Sequence, residues 1–179
     1  MLSWSRPDPL TRDLVHMINA RRHDHGDTEA AIDTLQAFLE QGREYDLLTV
    51  LAALDRNGMR AALLVAGATD GDVFRVFVEH VLAPKLHRGD IVVLDNLGAH
   101  KAAGVAEAIA AAGAQLRYLP PYSPDYNPIE LAWSKIKGQL RTAGARTRQK
   151  LNRCLRVALQ QITRQEAQAW FRHDGYSLH

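Results

Sequence analysis

The first forty residues carry apolar side chains at a spacing of about four. Leu10, Leu14 and Ile18 recur at this interval, and a second set follows between residues 31 and 39. A spacing of three to four residues is typical of an amphipathic helix. The pattern therefore predicts two helices, over residues 10–22 and 28–41.

From residue 45 the pattern changes to short, continuous apolar runs. Two such runs, 47–54 and 59–66, flank an Asn-Gly pair at positions 57–58. Asn-Gly favours the positive φ angles of a tight hairpin turn, so these runs predict two antiparallel strands. A helix with phenylalanine and valine on one face follows, and it begins at either Asp70 or Asp72.

The middle of the chain has the order strand, helix, strand. The run IVVLDN at 91–96 predicts a strand buried on both faces, an alanine-rich helix covers 100–112, and QLRYL at 115–119 is a further strand. Strands joined through a helix run parallel. Three helices follow, at 128–142, 147–161 and 164–172. The sequence therefore predicts an α/β fold in which helices flank a mixed sheet.

Composition indicates one globular domain. The chain is 46% hydrophobic and 23% charged, and its single cysteine excludes a disulfide framework. No apolar run approaches the roughly 20 residues that span a bilayer. We therefore expect a cytoplasmic protein without a membrane partner.

Charge is distributed unevenly. Residues 131–179 hold 10 basic and 2 acidic residues, whereas residues 1–130 hold 12 basic and 18 acidic ones. A basic segment attracts polyanions, because neutralising phosphates releases counterions. A solvated helical surface is the simpler explanation on charge alone.

Two acids occupy positions that suit chemistry. Asp95 follows the buried strand, where open α/β sheets bind their ligands, and Glu130 lies in the first turn of the helix after a loop with four prolines. Each proline fixes its own φ and restricts its neighbour. Pro128 suits a first helical turn with Asn127 as its cap. The loop thus predicts a rigid lead-in that aims Glu130.

Each acid also has a simpler explanation. Asp95 could cap the following helix, and Glu130 could be an acid favoured by the helix dipole. Together, two preorganised carboxylates suit a hard cation such as Mg²⁺, which takes few protein oxygens and retains several waters.

The stretches VLDNLGAH at 93–100 and LPPYSPDYNPIELAWSKIK at 119–137 resemble the catalytic domain of DDE transposases of the mariner superfamily, specifically the bacterial insertion-sequence branch. Asp95 and Glu130 have 34 residues between them, the family's spacing for its second and third catalytic acids. The resemblance implies an RNase H-like fold and two Mg²⁺ or Mn²⁺ ions held by three carboxylates. It also implies cleavage and joining of DNA at transposon ends.

The resemblance assigns roles to individual residues. Asp95 and Glu130 would be catalytic and bind the metals, and Asn96 and His100 would line the site and orient water or phosphate, unless they merely cap the helix. From the basic segment we expect DNA contacts by Lys135, Lys137, Arg141, Arg146 and Arg148, with transposon ends and target DNA as partners.

One departure from the family concerns its first acid, which lies within a first strand. Upstream of residue 45 the pattern predicts helices only, so we expect residues 1–44 to form a helical segment and residues 45–179 an incomplete catalytic domain lacking its first strand. Asp46 and Asp55 are weak substitutes for the missing acid. Two classes of function follow: a transposase, acting as a homodimer or with a separately encoded N-terminal half, or a truncated, inactive remnant that binds DNA or a full-length transposase.

Overall fold

The computed structural model describes residues 14–23, 47–66, 69–144 and 148–178. Its centre is one five-stranded sheet in the order β3-β2-β1-β4-β5. The strands are β1 Leu14–His23, β2 Leu47–Asp55, β3 Gly58–Ala66, β4 Ile91–Leu94 and β5 Gln115–Tyr118. β2 pairs antiparallel with β1 and β3, while β4 pairs parallel with β1 and β5. The predicted mixed sheet is confirmed.

The N-terminal prediction was wrong over residues 14–23, which form a strand and not a helix. Leu14 and Ile18 are four residues apart, and four is both about one helical turn and an even number of strand positions. The spacing therefore places them on one face in either structure. Backbone pairing with β2 and β4 decides between the two. The predicted helix over 28–41 lies outside the described residues.

The expectation of a missing first strand is also wrong. β1 lies between β2 and β4, the place where the family's first strand was expected. Its first four residues pair in parallel with β4, from Leu14 opposite Ile91 to Met17 opposite Leu94. β4 is consequently an internal strand with both edges paired.

The hairpin and the helices follow the predicted order. Gly58 has φ +126° at the β2–β3 turn, and Asp70 rather than Asp72 caps the next helix by accepting from two backbone N–H groups. The helices are α1 Gly71–Phe77, α2 Val105–Ala111, α3 Ile129–Ala143, α4 Arg148–Gln160 and α5 Arg164–His173. A π-helical turn, Val78–Leu82, extends α1, and a 3-10 turn, Gly98–Lys101, precedes α2. Over the described part of the chain, no helix combines the length and apolarity needed to cross a membrane.

Helices cover both faces of the sheet. Successive strand residues point to opposite faces, so Leu51 and Ala53 of β2 pack with α1 and α2, whereas Ala52 and Leu54 pack with the three C-terminal helices. Because β4 is buried at all four positions, it fixes the position of the residue that follows it.

Candidate active site

Asp95 follows β4 directly and is held by two contacts. Its Oδ1 accepts a hydrogen bond from the Leu97 N–H at 3.0 Å and lies 2.6 Å from Nδ1 of His100. Burial by itself would raise the pKa of Asp95, but the hydrogen bonds from His100 and Leu97 and the electrostatic attraction of His100 outweigh it. The pKa of Asp95 is therefore lowered, and the carboxylate is ionised near neutral pH.

His100 lies behind Asp95 and is fully buried. Its ring packs against Phe74 of α1 with the centroids 4.3 Å apart, and its backbone carbonyl accepts from the Tyr118 hydroxyl at 3.0 Å. These contacts fix the imidazole, which in turn fixes the Asp95 carboxylate. His100 therefore contacts the cleft residues through Asp95.

Asn96 ties the end of β4 to the proline loop. Its side-chain amide donates to the Leu119 carbonyl, and the Leu119 N–H donates to the Leu94 carbonyl at 2.7 Å. The beginning of the loop is thereby attached to the strand that carries Asp95. Asn96 has a positioning contact of its own, which a helix cap would not require.

Glu130 is oriented by the end of the proline loop. Pro124–Tyr126 form a 3-10 turn, and the Tyr126 carbonyl accepts from the Tyr176 hydroxyl at 2.7 Å. Pro128, and not the expected Asn127, occupies the N-cap position of α3. The Glu130 N–H donates to the Asn127 carbonyl at 3.0 Å. The loop thus enters α3 through a hydrogen-bonded turn.

The charge of Asp95 affects the ionisation of Glu130. Burial raises the pKa of Glu130, Lys137 acts in the opposite direction, and the charge of Asp95 raises the pKa further. A like charge opposes ionisation only when it is near. A cation between the two carboxylates would remove this repulsion.

Asp95 and Glu130 line one cleft of about 390 Å³. Asn96 lines it as well, together with Asn127, whereas His100 does not. Apart from Ser123, the remaining wall is apolar and consists largely of the loop between β5 and α3, namely Leu119, Pro120, Pro121, Tyr122 and Pro124, with Leu97 beside Asn96. The structure therefore brings the two predicted acids together in a common cavity.

A third acid is not found beside them in the part of the chain that the structure describes. β1 is the strand next to β4, and its residue following Met17, Ile18, holds the register position beside Asp95. Residues 14–23 contain neither Asp nor Glu. Among the described residues, no three His, Cys, Asp or Glu side chains form a metal-binding group.

The two substitutes named from sequence do not supply that acid. Asp55 ends β2, which runs antiparallel to β1, so it lies at the end of the sheet where β4 begins, away from Asp95. There it forms an ion pair with Arg60 at 3.2 Å. Asp46 falls outside the described residues.

The oxygen ligands of the cleft are of the type that binds a divalent metal, but there are fewer carboxylates than the resemblance implies. Two carboxylates and the amide oxygens of Asn96 and Asn127 are hard oxygen ligands of the kind that Mg²⁺ and Mn²⁺ accept. The resemblance to the mariner superfamily implies three carboxylates, and residues 14–23 of β1 have none to add. Asp95 and Glu130 would hold such an ion.

The basic segment is only partly available to DNA. Lys135 donates to both Glu166 carboxylate oxygens, at 2.7 and 2.8 Å, and to the Gln161 carbonyl. Lys137 and Arg141 are exposed on α3. Arg146 is outside the described residues, and the structure describes only the backbone of Arg148 in α4.

Sequence reasoning missed the cleft residues Leu97 and Tyr122. Both lie within the two quoted family motifs, but they are large apolar residues, which hydrophobic patterning assigns to the core. Their exposure of 45% and 103% is visible only in the structure.

Comparisons with known proteins bear on the family and the fold of the chain. The family model described as DDE superfamily endonuclease matches residues 16–152. A comparison with curated protein sequences finds no significant match.

Among solved structures, the Mos1 transposase paired-end complex with left transposon end has a TM-score of 0.62 at 15% identity, over 89% of this chain and 51% of that chain. The Mos1 mariner paired end complex with Mn has a TM-score of 0.61 at 15% identity, over 93% and 56%. The catalytic core domain of BIV integrase has a TM-score of 0.53 at 15% identity, over 92% and 98%.

These likenesses establish the RNase H-like transposase and integrase fold. The chain spans about half the length of the Mos1 transposase chains it matches. Because the family model covers well over half of the sequence, from within β1 to α4, the protein belongs to the DDE superfamily of endonucleases.

Proposed function

We propose that this chain contributes two of the three acids of a transposase-type centre that cleaves and transfers DNA strands at transposon ends. The observation that carries the proposal is the common cleft, in which Asp95 and Glu130 are supported by separate rigid elements. The mariner relationship, in its bacterial insertion-sequence branch, is part of the proposal. So is a cytoplasmic location.

The residues of the cleft would position the metal ions and the DNA, and none of them would form a covalent bond to the DNA. Asp95 and Glu130 would hold Mg²⁺ or Mn²⁺, with two ions in a complete site, and the metal would supply Lewis acidity for activation of the attacking oxygen. The chain holds Asp95 in one orientation through His100 and Leu97, and it directs Glu130 into the same cleft. The Mn-containing Mos1 structure supports this choice of metal. DNA would approach over the exposed cations Lys137 and Arg141, and the end-bound Mos1 structure supports a DNA partner.

A second candidate function is DNA binding without cleavage, or binding to a full-length transposase. The lack of an acid in residues 14–23, beside Asp95, favours it. The two candidates predict the same DNA binding, because phosphate contacts do not depend on the acids. They differ when the third acid is supplied, for example by a second copy or by a separately encoded N-terminal half.

The test combines DNA binding with nicking of a supercoiled plasmid in Mg²⁺ or Mn²⁺. We expect the purified chain to bind duplex DNA weakly and in a salt-sensitive manner, with nicking no higher than that of Asp95→Ala or Glu130→Ala. Strong nicking that both substitutions abolish would show that the chain itself supplies a third acid. Absence of binding at low salt would overturn the proposal.

A further inference from the structure

Tyr122 is the most exposed large apolar side chain of the described residues. Only three such residues are exposed there: Leu97 at 45%, Val157 at 45% and Tyr122 at 103%. Two of the three line the cleft that holds Asp95 and Glu130. Exposed apolar residues that are concentrated at one cavity mark a binding surface.

The backbone holds Tyr122 in an unfavourable conformation. Its φ is +55°, and among the described residues it is the single non-glycine residue with a positive φ. Side chains other than glycine are disfavoured there, and such outliers concentrate at ligand-binding positions. Pro120, Pro121 and Pro124 flank it, and the Ser123 hydroxyl donates to the Pro121 carbonyl at 3.2 Å. The loop therefore presents the ring in a preset direction.

The chemistry of the loop restricts what it can bind. Residues 119–134 contain two acids and no lysine or arginine, so the loop cannot bind DNA through ion pairs with phosphates. An aromatic face can bind DNA without charge, because every nucleobase has a π-face that stacks on it. The apolar walls of the cleft suit the same flat ring, and a volume of about 390 Å³ is within the range of pockets that enclose small ligands.

We infer that Tyr122 is a stacking platform for an unpaired nucleobase next to the phosphate at which Asp95 and Glu130 act, with Leu97 completing the apolar contact. The inference rests on the proposed function and adds a recognition element to it. Tyr122 is a positioning residue, since its ring would hold the nucleotide and leave phosphate chemistry to the acids.

The test uses two fluorescein-labelled hairpin duplexes that differ only in a short 3′ overhang. One overhang carries thymine bases, and the other carries abasic tetrahydrofuran residues. We expect the chain to bind the overhang with bases about 5- to 150-fold more tightly, the range that one stacked base provides. Tyr122→Ala should lose this preference and keep its affinity for the abasic probe, whereas Tyr122→Phe should keep both.

Two controls keep the result specific. Val157→Ala removes an exposed apolar side chain away from the cleft and should leave the preference unchanged. A 2-aminopurine in the overhang should be quenched on binding by the unmodified chain and Tyr122→Phe, but not by Tyr122→Ala. Equal binding of both probes by the unmodified chain would overturn the stacking role and leave the proposed function standing, whereas binding of neither probe would overturn both.

Discussion

The two ends of β4 carry an aspartate each, and the two aspartates have opposite surroundings. Asp90 precedes the strand, and its side chain is 1% exposed. Its Oδ2 lies 3.0 Å from Arg60 and accepts the His87 N–H at 2.8 Å. Arg60 also pairs with Asp55 and donates to the Lys85 carbonyl. Asp95, after the strand, is 27% exposed, with the imidazole of His100 as its partner and Glu130 in the same cleft.

This difference separates a structural carboxylate from the one that we propose to be functional. A buried charge must be paired, and Asp90 has a guanidinium for that purpose. At the other end, two acids share a cleft, and the charge of Asp95 opposes the ionisation of Glu130. Perturbed acids of this kind cluster at functional sites, and a cation bound in the cleft would compensate for the repulsion.

The largest expected effect is at the Asp90 end. Arg60→Ala would leave Asp55 and Asp90 buried without their cation, so we expect the free energy of unfolding to fall by about 3–5 kcal/mol. Urea denaturation measures it. Arg117→Ala, at an exposed site on β5, is the matched control and should cost less than about 0.5 kcal/mol. Equal losses in the two variants would refute the structural role of the Arg60 network.

A smaller effect is expected at the Asp95 end, and it should depend on metal. Mn²⁺ at ten times its dissociation constant should stabilise the chain by about 1.4 kcal/mol, measured as a rise in Tm. Asp95→Ala and Glu130→Ala should abolish this gain. Glu107→Ala, which removes an exposed acid from α2, should preserve it. A gain that survives Asp95→Ala would place the metal elsewhere.

The smallest effect concerns a carboxylate that is paired but exposed. Thr163 is the N-cap of α5 and forms a capping box with Glu166, which also binds Lys135. The hydrogen bonds from Lys135 and from the Thr163 N–H lower the pKa of Glu166, against the effect of burial. When the pKa of a carboxyl group is lower in the folded than in the unfolded state, its charged form stabilises the fold at pH values above the unfolded-state pKa. This contribution is lost as the pH falls through the folded-state pKa.

Glu166→Gln keeps the capping geometry but removes the charge. We expect it to cost about 0.5 kcal/mol near pH 7 and almost nothing near pH 3, since surface pairs contribute little. Chemical denaturation at the two pH values measures the difference. A cost that does not change with pH would mean that capping, and not charge, makes the contribution.

The sequence predicted β4 correctly as a strand but not β1. The run IVVL is apolar at every position and could be assigned as a buried strand from sequence, which located Asp95 at its end. Leu14 and Ile18 satisfy the helical and the strand period alike, so local pattern could not assign β1. Its assignment requires β2 and β4 as neighbours, and these are distant in sequence.

Some features of the candidate site could likewise be predicted from sequence, and others could not. Asp95 and Glu130 were identified from motif spacing, but the buttressing of His100 by Phe74 and the pairing of Lys135 with Glu166 were not. Lys135 was predicted to contact DNA because its neighbours are basic. Its partner lies 31 residues away, beyond the reach of any local pattern.

The sequence by itself determined the order of the elements from β2 to α5, the two acids and the stiffness of the loop between them, because periodicity and proline geometry are local properties. Tertiary structure alone decided that residues 14–23 form a strand beside β4, that no acid accompanies Asp95 on it, and that Tyr122 stands exposed at the cleft. Strand pairing, ion pairing and exposure depend on groups that only folding brings together, and their energies are absent from any single stretch of chain.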